Sequence, residues 1–348
     1  MSERILVGMS GGIDSTWAVK KLIDEGYSVE GAILVMHSTS PVADARASAA
    51  SLGVKLHEID CTKEFIQKVE NNLVDEYARC RTPNPCVVCN SEIKFKLLAE
   101  YARQNGFDKI ATGHYVRSYY DGDVSRYVIE AAEDKAKDQS YFLWQVEQRD
   151  LSMFKSVLSE DKKSSIKDSL GETPFEYQTK ESQEICFIPD DERIEFLVSR
   201  MSEIDREKMC CDGDFTDVFG KVVGRHKGLI HYTTGQRKGL GIALGRPAYV
   251  LKLDPSKNRV VVGFEEDNVC HSFSGSGVKF VSIPEFEGEI ECFVRVRHRG
   301  ILKKVKATIK EDKVNVEFET PEKTVSSGQS AVFYDEKGRV LFGAFIDS

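Results

Sequence analysis

The chain has 348 residues, of which 41% are hydrophobic and 30% charged, and its formal net charge is −8. This length predicts two or three domains, and the composition is typical of a globular protein. The acidic balance excludes a uniformly basic nucleic-acid coat but allows local basic patches. The sequence shows no membrane-length apolar run and no leader-like start, so we expect a cytoplasmic protein that does not act at a membrane. The nine cysteines, an odd number, favour buried, metal-binding or catalytic thiols over a secreted disulfide framework.

The first half of the chain alternates strand-like and helix-like patterns. The predicted strands are Ile5–Val7, Val29–Leu34, Lys55–Ile59 and Lys109–Thr112, and the helices between them include Thr62–Arg79 and Glu92–Gln104. This order predicts a Rossmann-like parallel sheet wrapped by helices. Ligands of such sheets bind beyond the carboxyl ends of the strands.

From about Gly213 the long helical patterns give way to short alternating segments separated by Gly, Asn and Asp. The predicted strands are Tyr249–Leu253, Arg259–Val262, Phe293–Val296 and Val314–Phe318. The C-terminal third is therefore predicted to be all-β, as a small barrel or as two small β domains. The fold class predicted for the whole chain is α/β followed by β.

The segment Gly8–Ser15, with the sequence GMSGGIDS, joins the first predicted strand to a helix. Backbone N–H groups and the helix dipole favour an anion at such a helix N-terminus. Gly11 and Gly12 allow a close backbone approach, and Ser10 and Ser15 supply hydroxyl groups. The segment therefore predicts a phosphate site, and a tight glycine turn without a ligand is the disfavoured alternative.

Asp14 within this segment is acidic, so we expect it to bind phosphate through Mg²⁺ or to cap the helix. The spacing matches neither a Walker P-loop nor a dinucleotide fingerprint. It resembles the Ser-Gly-Gly-x-Asp-Ser pyrophosphatase loop of enzymes that split ATP into AMP and pyrophosphate.

Two cysteines, Cys86 and Cys89, lie in a Pro-rich loop that runs into the Glu92 helix. A cysteine near a helix N-terminus can have a lowered pKa, so we expect an available thiolate there. Cys186 stands far away in a segment that changes from polar to apolar. Alternatively, the Cys-x-x-Cys pair is half of a zinc site completed by Cys80 or Cys186, or Cys186 is a core thiol.

The segment Cys292–Lys310 contains seven Lys and Arg residues and no acidic residue. Arg295, Arg297 and Arg299 alternate, which predicts that they share one face of a strand. The segment is either a solvated basic strand or a surface that contacts nucleic-acid phosphates.

Seven segments together resemble one family, the tRNA-specific 2-thiouridine synthases of the MnmA type. The segments are Gly8–Ser15, Arg81–Phe95, Ala111–Tyr115, Lys137–Leu143, Ser182–Ile188, His231–Gly241 and Gly328–Tyr334. They occur in the family's order and span essentially the whole chain. The resemblance implies an ATP-pyrophosphatase domain of the adenine nucleotide alpha hydrolase type over 1–200. It also implies a small central β-rich tRNA-binding domain over 201–265 and a C-terminal tRNA-binding β-barrel over 266–348.

The resemblance also implies ATP-dependent 2-thiolation of the wobble uridine of tRNA, with ATP and Mg²⁺ as cofactors. The implied partners are tRNAs of the Lys, Glu and Gln type and a sulfur donor, which is a cysteine desulfurase, a relay protein or inorganic sulfide.

Carried over by position, the family's nucleophile falls on Cys89 and its persulfide-bearing cysteine on Cys186, with a disulfide between them during turnover. The positions that contact ATP fall on Gly8, Met9, Ser10, Gly11, Gly12, Ile13, Asp14, Ser15, Leu34 and Gly113. The positions that contact tRNA fall on Asn84, Pro85, Cys86, His114, Lys137, Asp138, Gln139, Arg297, His298 and Gln329.

Two departures from the family pattern stand out. The commoner pattern has Asp where this chain has Cys86, and the segment after Leu34 is shorter. A second class of the family, with Cys-x-x-Cys and a distant cysteine, is suspected of holding an iron–sulfur cluster, for which Cys86, Cys89 and Cys186 would be the ligands. The missing carboxylate favours that cluster. Other functions that remain open are a different pyrophosphatase-loop ligase and a tRNA-binding protein without catalysis.

Overall fold

A parallel five-stranded sheet forms the centre of the N-terminal part of the computed structural model, which describes residues 2–171, 185–189 and 192–347. The strands of this part are β1 (Arg4–Gly8), β2 (Ser28–Val35), β3 (Leu56–Asp60), β4 (Lys109–Thr112), β5 (Val116–Asp121), β6 (Arg126–Ala131) and β7 (Phe154–Lys155). The sheet order is β3-β2-β1-β4-β7, and β5 and β6 form a separate antiparallel hairpin. The four strands predicted from the sequence are confirmed.

Helices cover both faces of the sheet. They are α1 (Ile13–Asp24), α2 (Val42–Ser51), α3 (Thr62–Phe65), α4 (Asn71–Ala78), α5 (Pro85–Val88), α6 (Lys96–Gln104), α7 (Gln148–Leu151), α8 (Lys163–Gly171), α9 (Arg193–Arg200) and α10 (Glu203–Cys210). Within the described ranges, no helix combines the length and hydrophobicity that crossing a membrane requires.

The two long helices predicted from the sequence form, but neither is uniformly α-helical. A π-helical segment, Ile66–Glu70, joins α3 to α4, and a second, Cys89–Phe95, joins α5 to α6. The second helix also begins earlier than predicted, because Pro85 starts α5 directly after Asn84. Short 3₁₀ turns occur at Ser140–Phe142, Leu229–His231 and Glu265–Asp267.

Alternation along β1 connects the two layers of the core. Leu6 packs with Leu98 of α6, while Ile5 and Val7 pack with Leu22 of α1. All five of these side chains are at most 1% exposed. A parallel sheet buried on both faces in this way reads in the sequence as a short continuous apolar run.

The middle part is a four-stranded sheet with the order β10-β11-β8-β9. Its strands are β8 (Gly213–Thr216), β9 (Val222–His226), β10 (Tyr249–Asp254) and β11 (Arg259–Gly263). The fully buried Phe215 and Val260 anchor its core, which also takes in Leu73 and Tyr77 of α4. The middle sheet therefore packs on the N-terminal part.

The C-terminal part is a closed six-stranded barrel with the order β12-β15-β14-β13-β16-β17. Its strands are β12 (Cys270–Phe280), β13 (Gly288–Arg295), β14 (Lys303–Lys310), β15 (Lys313–Glu322), β16 (Ser330–Tyr334) and β17 (Val340–Ile346). The barrel option is therefore confirmed for this part, and so is the fold class of α/β followed by β.

The prediction that Arg295, Arg297 and Arg299 share one strand face is wrong. Strand β13 ends at Arg295, and the chain then turns, with the Gly300 amide donating to the Arg297 carbonyl at 3.0 Å and Arg299 at φ +61°. Arg297 and Arg299 are exposed, whereas the Arg295 side chain is 14% exposed. Period-two alternation in the sequence continues past the point where the strand ends.

Arg295 forms a buried ion pair that joins the barrel to the N-terminal part. Its Nη1 donates to Asp138 Oδ2 at 3.0 Å, and the Asp138 side chain is 1% exposed. The other Asp138 oxygen accepts from the backbone amides of Ala132 and Ser140. The carboxylate is thereby fully used inside the protein.

Removal of this carboxylate should destabilise the protein strongly. We expect Asp138→Ala to cost about 3–5 kcal/mol because it leaves the Arg295 guanidinium buried without its partner. Urea unfolding followed by the fluorescence of Trp144, which is fully buried and bonded to Ser330 at the barrel, measures this cost. As a control, Glu289→Ala, which removes an exposed pair with Lys306, should change stability by less than about 1 kcal/mol. Equal urea midpoints for the two variants would contradict the assignment.

Candidate functional site

An open pocket of about 260 Å³ lies at the carboxyl ends of β1, β2 and β4. Residues at these strand ends line it, including Gly8, Leu34 and Thr112, and Met36 and Pro41 of the loop after β2 close another side. This is the edge at which open parallel sheets bind their ligands. The pocket therefore coincides with the loop that the sequence predicts to bind phosphate.

Helix α1 presents an uncapped N-terminus to this pocket. Gly12 is its N-cap residue and no side chain caps it, so the first-turn N–H groups remain for an anion. The Ser15 hydroxyl donates to the Gly12 carbonyl at 3.0 Å and accepts from the Ser10 amide at 3.2 Å. Ser10 is exposed and lines the pocket. Ser15 thus shapes the loop, and the Ser10 hydroxyl faces the ligand space.

Two glycines let neighbouring segments approach the loop. Gly11 has φ +71°, and a Cβ on it would lie 2.5 Å from the Asp44 backbone. A Cβ on Gly113, at the end of β4, would lie 2.8 Å from the Ser15 amide nitrogen. Side chains at either position would therefore displace the backbone that forms the anion site.

Asp14 faces the pocket but does not cap α1. Its carboxylate accepts from the Tyr115 hydroxyl at 2.7 Å and from Lys163 Nζ, which lies 2.5 Å from both oxygens. Burial, reinforced by the Asp14 charge, raises the pKa of Tyr115, which therefore remains a hydroxyl donor. The Asp14 side chain is 32% exposed. One partly exposed carboxylate beside an anion site fits Mg²⁺, which takes few protein ligands and completes its shell with phosphates and water.

Cys89 is buried behind the pocket, and the expected lowering of its pKa is wrong. The thiol is 5% exposed, and burial raises its pKa to about 12, with Lys94 as the main opposing influence. Burial likewise raises the pKa of Cys86. Asn84 caps α5 by accepting from the Cys86 amide at 3.2 Å, but a four-residue helix does not offset the loss of solvation. The Cys89 thiol lies 3.9 Å from the sulfur of Met36, which lines the pocket.

Cys186 reaches the same region through its neighbour Phe187. The Phe187 ring packs edge-on against Phe65 at 5.0 Å and joins the apolar cluster that contains Cys89. Cys186 itself is exposed, and its charge raises the pKa of Cys89, so the two sulfurs lie within electrostatic reach. Residues 182–184 of the motif around Cys186 lie outside the described residues.

All nine cysteines are free thiols. Within the described ranges, no three His, Cys, Asp or Glu side chains converge as a group that could hold a metal ion. Cys80 points elsewhere, towards the Met209 sulfur at 3.7 Å. The described geometry therefore fits neither the zinc alternative nor an iron–sulfur cluster on Cys86, Cys89 and Cys186.

Lys94 is a pocket residue that the sequence analysis missed. It lines the pocket together with His114, whose ring nitrogen Nδ1 lies 2.8 Å from the Thr112 hydroxyl. Burial and the nearby Lys94 charge lower the pKa of His114 to about 3, so His114 is neutral near pH 7. The signal that would have identified Lys94 is its position five residues after Cys89 in an unusually wound helix.

The residues predicted to contact tRNA divide by exposure. Gln139 lines the pocket and accepts from the Tyr115 amide at 3.0 Å, and Lys137 is half-buried. Asp138 is enclosed by its ion pair with Arg295, so its predicted direct contact with tRNA is not compatible with this structure. In the turn after β13, the Arg297 side chain is 51% exposed.

The remaining members of that set have structural contacts. Pro85 is buried as the first residue of α5. The His298 ring lies 4.3 Å from that of Phe142. Gln329 Nε2 donates to the Thr82 carbonyl at 2.7 Å, and the Thr82 amide donates to the Ser327 carbonyl at 2.8 Å. The barrel thus holds the Pro-rich cysteine loop directly.

A parallel sheet with an anion-binding loop at this edge defines a nucleotide-binding domain of the pyrophosphatase-loop class. Comparison with protein families agrees: residues 3–190 match the tRNA methyl transferase HUP domain, 204–264 the tRNA methyl transferase PRC-barrel domain, and 270–346 the aminomethyltransferase beta-barrel domain.

Full-length relatives narrow this class. The chain is 40% identical over 366 residues to tRNA-specific 2-thiouridylase MnmA 2 of Thermoanaerobacter sp. (strain X514), with 100% of this chain and 98% of the relative covered. It is 40% identical to the MnmA of Treponema denticola, covering 99% and 98%, and 36% identical to that of Acetivibrio thermocellus, covering 99% of each. The chain belongs to the tRNA-specific 2-thiouridylase (MnmA) family.

The burial of Cys89 leads to a test of thiol reactivity. At pH 8 we expect iodoacetamide to alkylate Cys186 at least about 100-fold faster than Cys89, because only thiolates react and the Cys89 pKa is about 12. The Cys89 rate should rise about tenfold per pH unit above that. Mass spectrometry of peptides from timed samples gives both rates, and a Cys89 rate equal to that of Cys186 would contradict the assigned burial.

Proposed function

We propose that this protein transfers sulfur to the C2 position of the wobble uridine of tRNA at the expense of ATP. The observation that carries the proposal is the continuity of the pocket with the sulfur centre. One wall of the pocket is the anion-binding loop at Ser10, and another is Met36, in contact with the Cys89 thiol. Activation by ATP and attack by sulfur thus have adjacent places.

The first step is adenylation of the base. The uridine C2 oxygen attacks the α-phosphate of ATP, and pyrophosphate leaves towards the α1 N-terminus and the Ser10 hydroxyl. Mg²⁺ held by Asp14 would neutralise phosphate charge when bound. Gly8, Met9, Gly11, Gly12, Ile13, Ser15, Leu34 and Gly113 form the surrounding surface for the nucleotide. The target base must leave its stack to reach this pocket.

The second step is sulfur transfer. The terminal sulfur of a Cys186 persulfide attacks C2, and the Cys89 thiolate then attacks the Cys186 Sγ. This forms a Cys89–Cys186 disulfide and leaves the terminal sulfur on C2, while AMP carries away the former C2 oxygen. A persulfide donor and a dithiol reductant restore the two cysteines. The described cysteines do not form a metal-binding group, which supports the persulfide scheme over a cluster-bound sulfide.

The parts of the chain have separate tasks in this proposal. Residues 1–200 carry the chemistry, while 201–265 and 266–348 bind tRNA. Arg297 and Arg299 are exposed on the barrel, and His114, Lys137 and Gln139 lie nearer the pocket. Asn84, Pro85 and Cys86 lie beside the target base, and His298 and Gln329 support the tRNA-facing loops. Phosphate contacts of this kind set affinity and register rather than sequence choice.

Loss of the Asp14 carboxylate should stop adenylation. We expect Asp14→Ala to lower tRNA-dependent pyrophosphate release at least about 100-fold while tRNA affinity stays within about twofold. The control is Asp24→Ala at the far end of the same helix, where the carboxylate is exposed and pairs with Lys20. Normal pyrophosphate release by Asp14→Ala would overturn the assignment of the loop. Release that does not depend on tRNA would favour a different ligase.

The two cysteines should behave as one unit. We expect Cys89→Ala and Cys186→Ala each to abolish 2-thiouridine formation, and the double variant to be no worse, because each sulfur is needed for the same transfer. Nucleoside mass spectrometry of tRNA after reaction measures the product, and the exposed Cys211→Ala is the control. Substantial thiolation by either single variant would contradict the scheme. Activity lost together with bound iron in Cys86→Ser would instead assign a cluster.

A further inference from the structure

Lys94 lies on the same side of its helix as Cys89 because of local winding. Both belong to the π-helical segment Cys89–Phe95. The i→i+5 repeat of a π-helix stacks residues five apart, whereas an α-helix would place them about 140° apart around its axis. Single π-turns of this kind occur frequently at functional sites. The winding therefore brings an ammonium group to the sulfur centre.

The Lys94 ammonium has no carboxylate to neutralise it within the described part of the chain. None of the ion pairs or hydrogen bonds of the described residues involves its Nζ, whereas Lys96, two residues on, pairs with Glu92 at 3.1 Å. Lys94 instead lines the open pocket beside Met36 and His114. An unneutralised cation is costly to keep at a partly buried position, so its charge must serve the site.

The groups that face Lys94 are sulfurs. Burial would lower the pKa of Lys94, but the charges of Cys89, Cys186 and Cys86 outweigh burial and raise it, so the ammonium persists. The titratable groups around Cys89 are Lys94, Cys86, Cys186 and, behind it, Cys61. His114 is neutral. Lys94 is thus the cation among these groups.

We propose that Lys94 is the residue that favours the thiolate form of Cys89 during sulfur transfer, an inference that rests on the proposed function. The thiol proton passes to water in the open pocket, and the ammonium keeps its own proton. The negative sulfur then attacks the Cys186 Sγ as described above. Lys94 acts on the charge of Cys89 and forms no bond with the substrate.

This role explains why the nucleophile can be so deeply buried. The pKa of Cys89 stays near 12 even with Lys94 in place, because burial dominates. The thiolate is therefore scarce in the free protein, and removal of the cation should make it scarcer. A tenfold loss of thiolate corresponds to a rise of one pKa unit.

The direct test measures Cys89 alone, without ATP or tRNA. We expect Lys94→Gln to slow iodoacetamide alkylation of Cys89 at pH 9 at least about tenfold, and Lys94→Arg to keep it within about threefold of wild type. Lys96→Gln, on the same helix, is the matched control and should change nothing. The buried barrel thiol Cys292 should remain unreactive if the variants are folded. An unchanged Cys89 rate in folded Lys94→Gln would overturn the proposal.

A second readout separates this role from phosphate binding, since Lys94 lines the nucleotide pocket. In Lys94→Gln, pyrophosphate release should stay within about threefold, while 2-thiouridine formation falls at least about tenfold and its pH profile shifts to the alkaline side. An equal fall in both would assign Lys94 to the phosphates and overturn the proposal. If Lys94→Gln exposes Cys292, Lys94→Met replaces it in both assays.

Failure of the proposed function would be distinguishable. Wild-type protein that never forms 2-thiouridine would refute that function, whereas the alkylation rates of Cys89 would still decide whether Lys94 controls its charge.

Discussion

The cysteine loop is held between the sheet domain and the barrel, and the rest of the site depends on that clamp. Thr82 exchanges hydrogen bonds with Ser327 and Gln329 of the barrel. A few residues later, Asn84 and Pro85 start a helix whose sulfur lies against the pocket wall. A loop with two prolines is already restricted in conformation, and two interdomain bonds fix it further. The β-barrel therefore contributes to catalytic geometry as well as to tRNA binding.

Burial controls the electrostatics of the site on both sides. The pocket side is polar and open, with an uncapped helix N-terminus and the Asp14 carboxylate. The sulfur side is an apolar cluster with Phe65 and Ile93, which are fully buried, and it keeps Cys89 neutral at rest. Lys94 is placed at the boundary between the two sides. This arrangement limits thiolate to the moment of use, whereas an exposed low-pKa cysteine would react with other oxidants and electrophiles.

Much of the fold follows from local patterns in the sequence. The buried strands of the parallel sheet are short apolar runs, and their bounds were predicted within one or two residues, as for β1 and β4. The anion-binding loop was identifiable because its function requires particular residues in a fixed order. The change from helical to alternating patterns near Gly213 correctly separated the α/β part from the β part.

The parts that could not be predicted depend on tertiary contacts. Nothing in the pattern of residues 89–95 signals π-winding, so Lys94 was overlooked. The depth of Cys89 depends on Phe187, almost 100 residues away, and its pKa was therefore assigned in the wrong direction from helix position alone. Alternation past Arg295 suggested a longer strand, but the chain turns there and the arginine is used for an ion pair with Asp138.

The most direct measurement of the central claim is the stoichiometry of one reaction. Unmodified tRNA, ATP labelled at the α-phosphate and protein charged with persulfide would be mixed, and AMP and 2-thiouridine quantified together. If activation and sulfur transfer occur in one continuous site, the account predicts one AMP for each 2-thiouridine and neither product without tRNA. Formation of 2-thiouridine without AMP, or of AMP without 2-thiouridine, would contradict it.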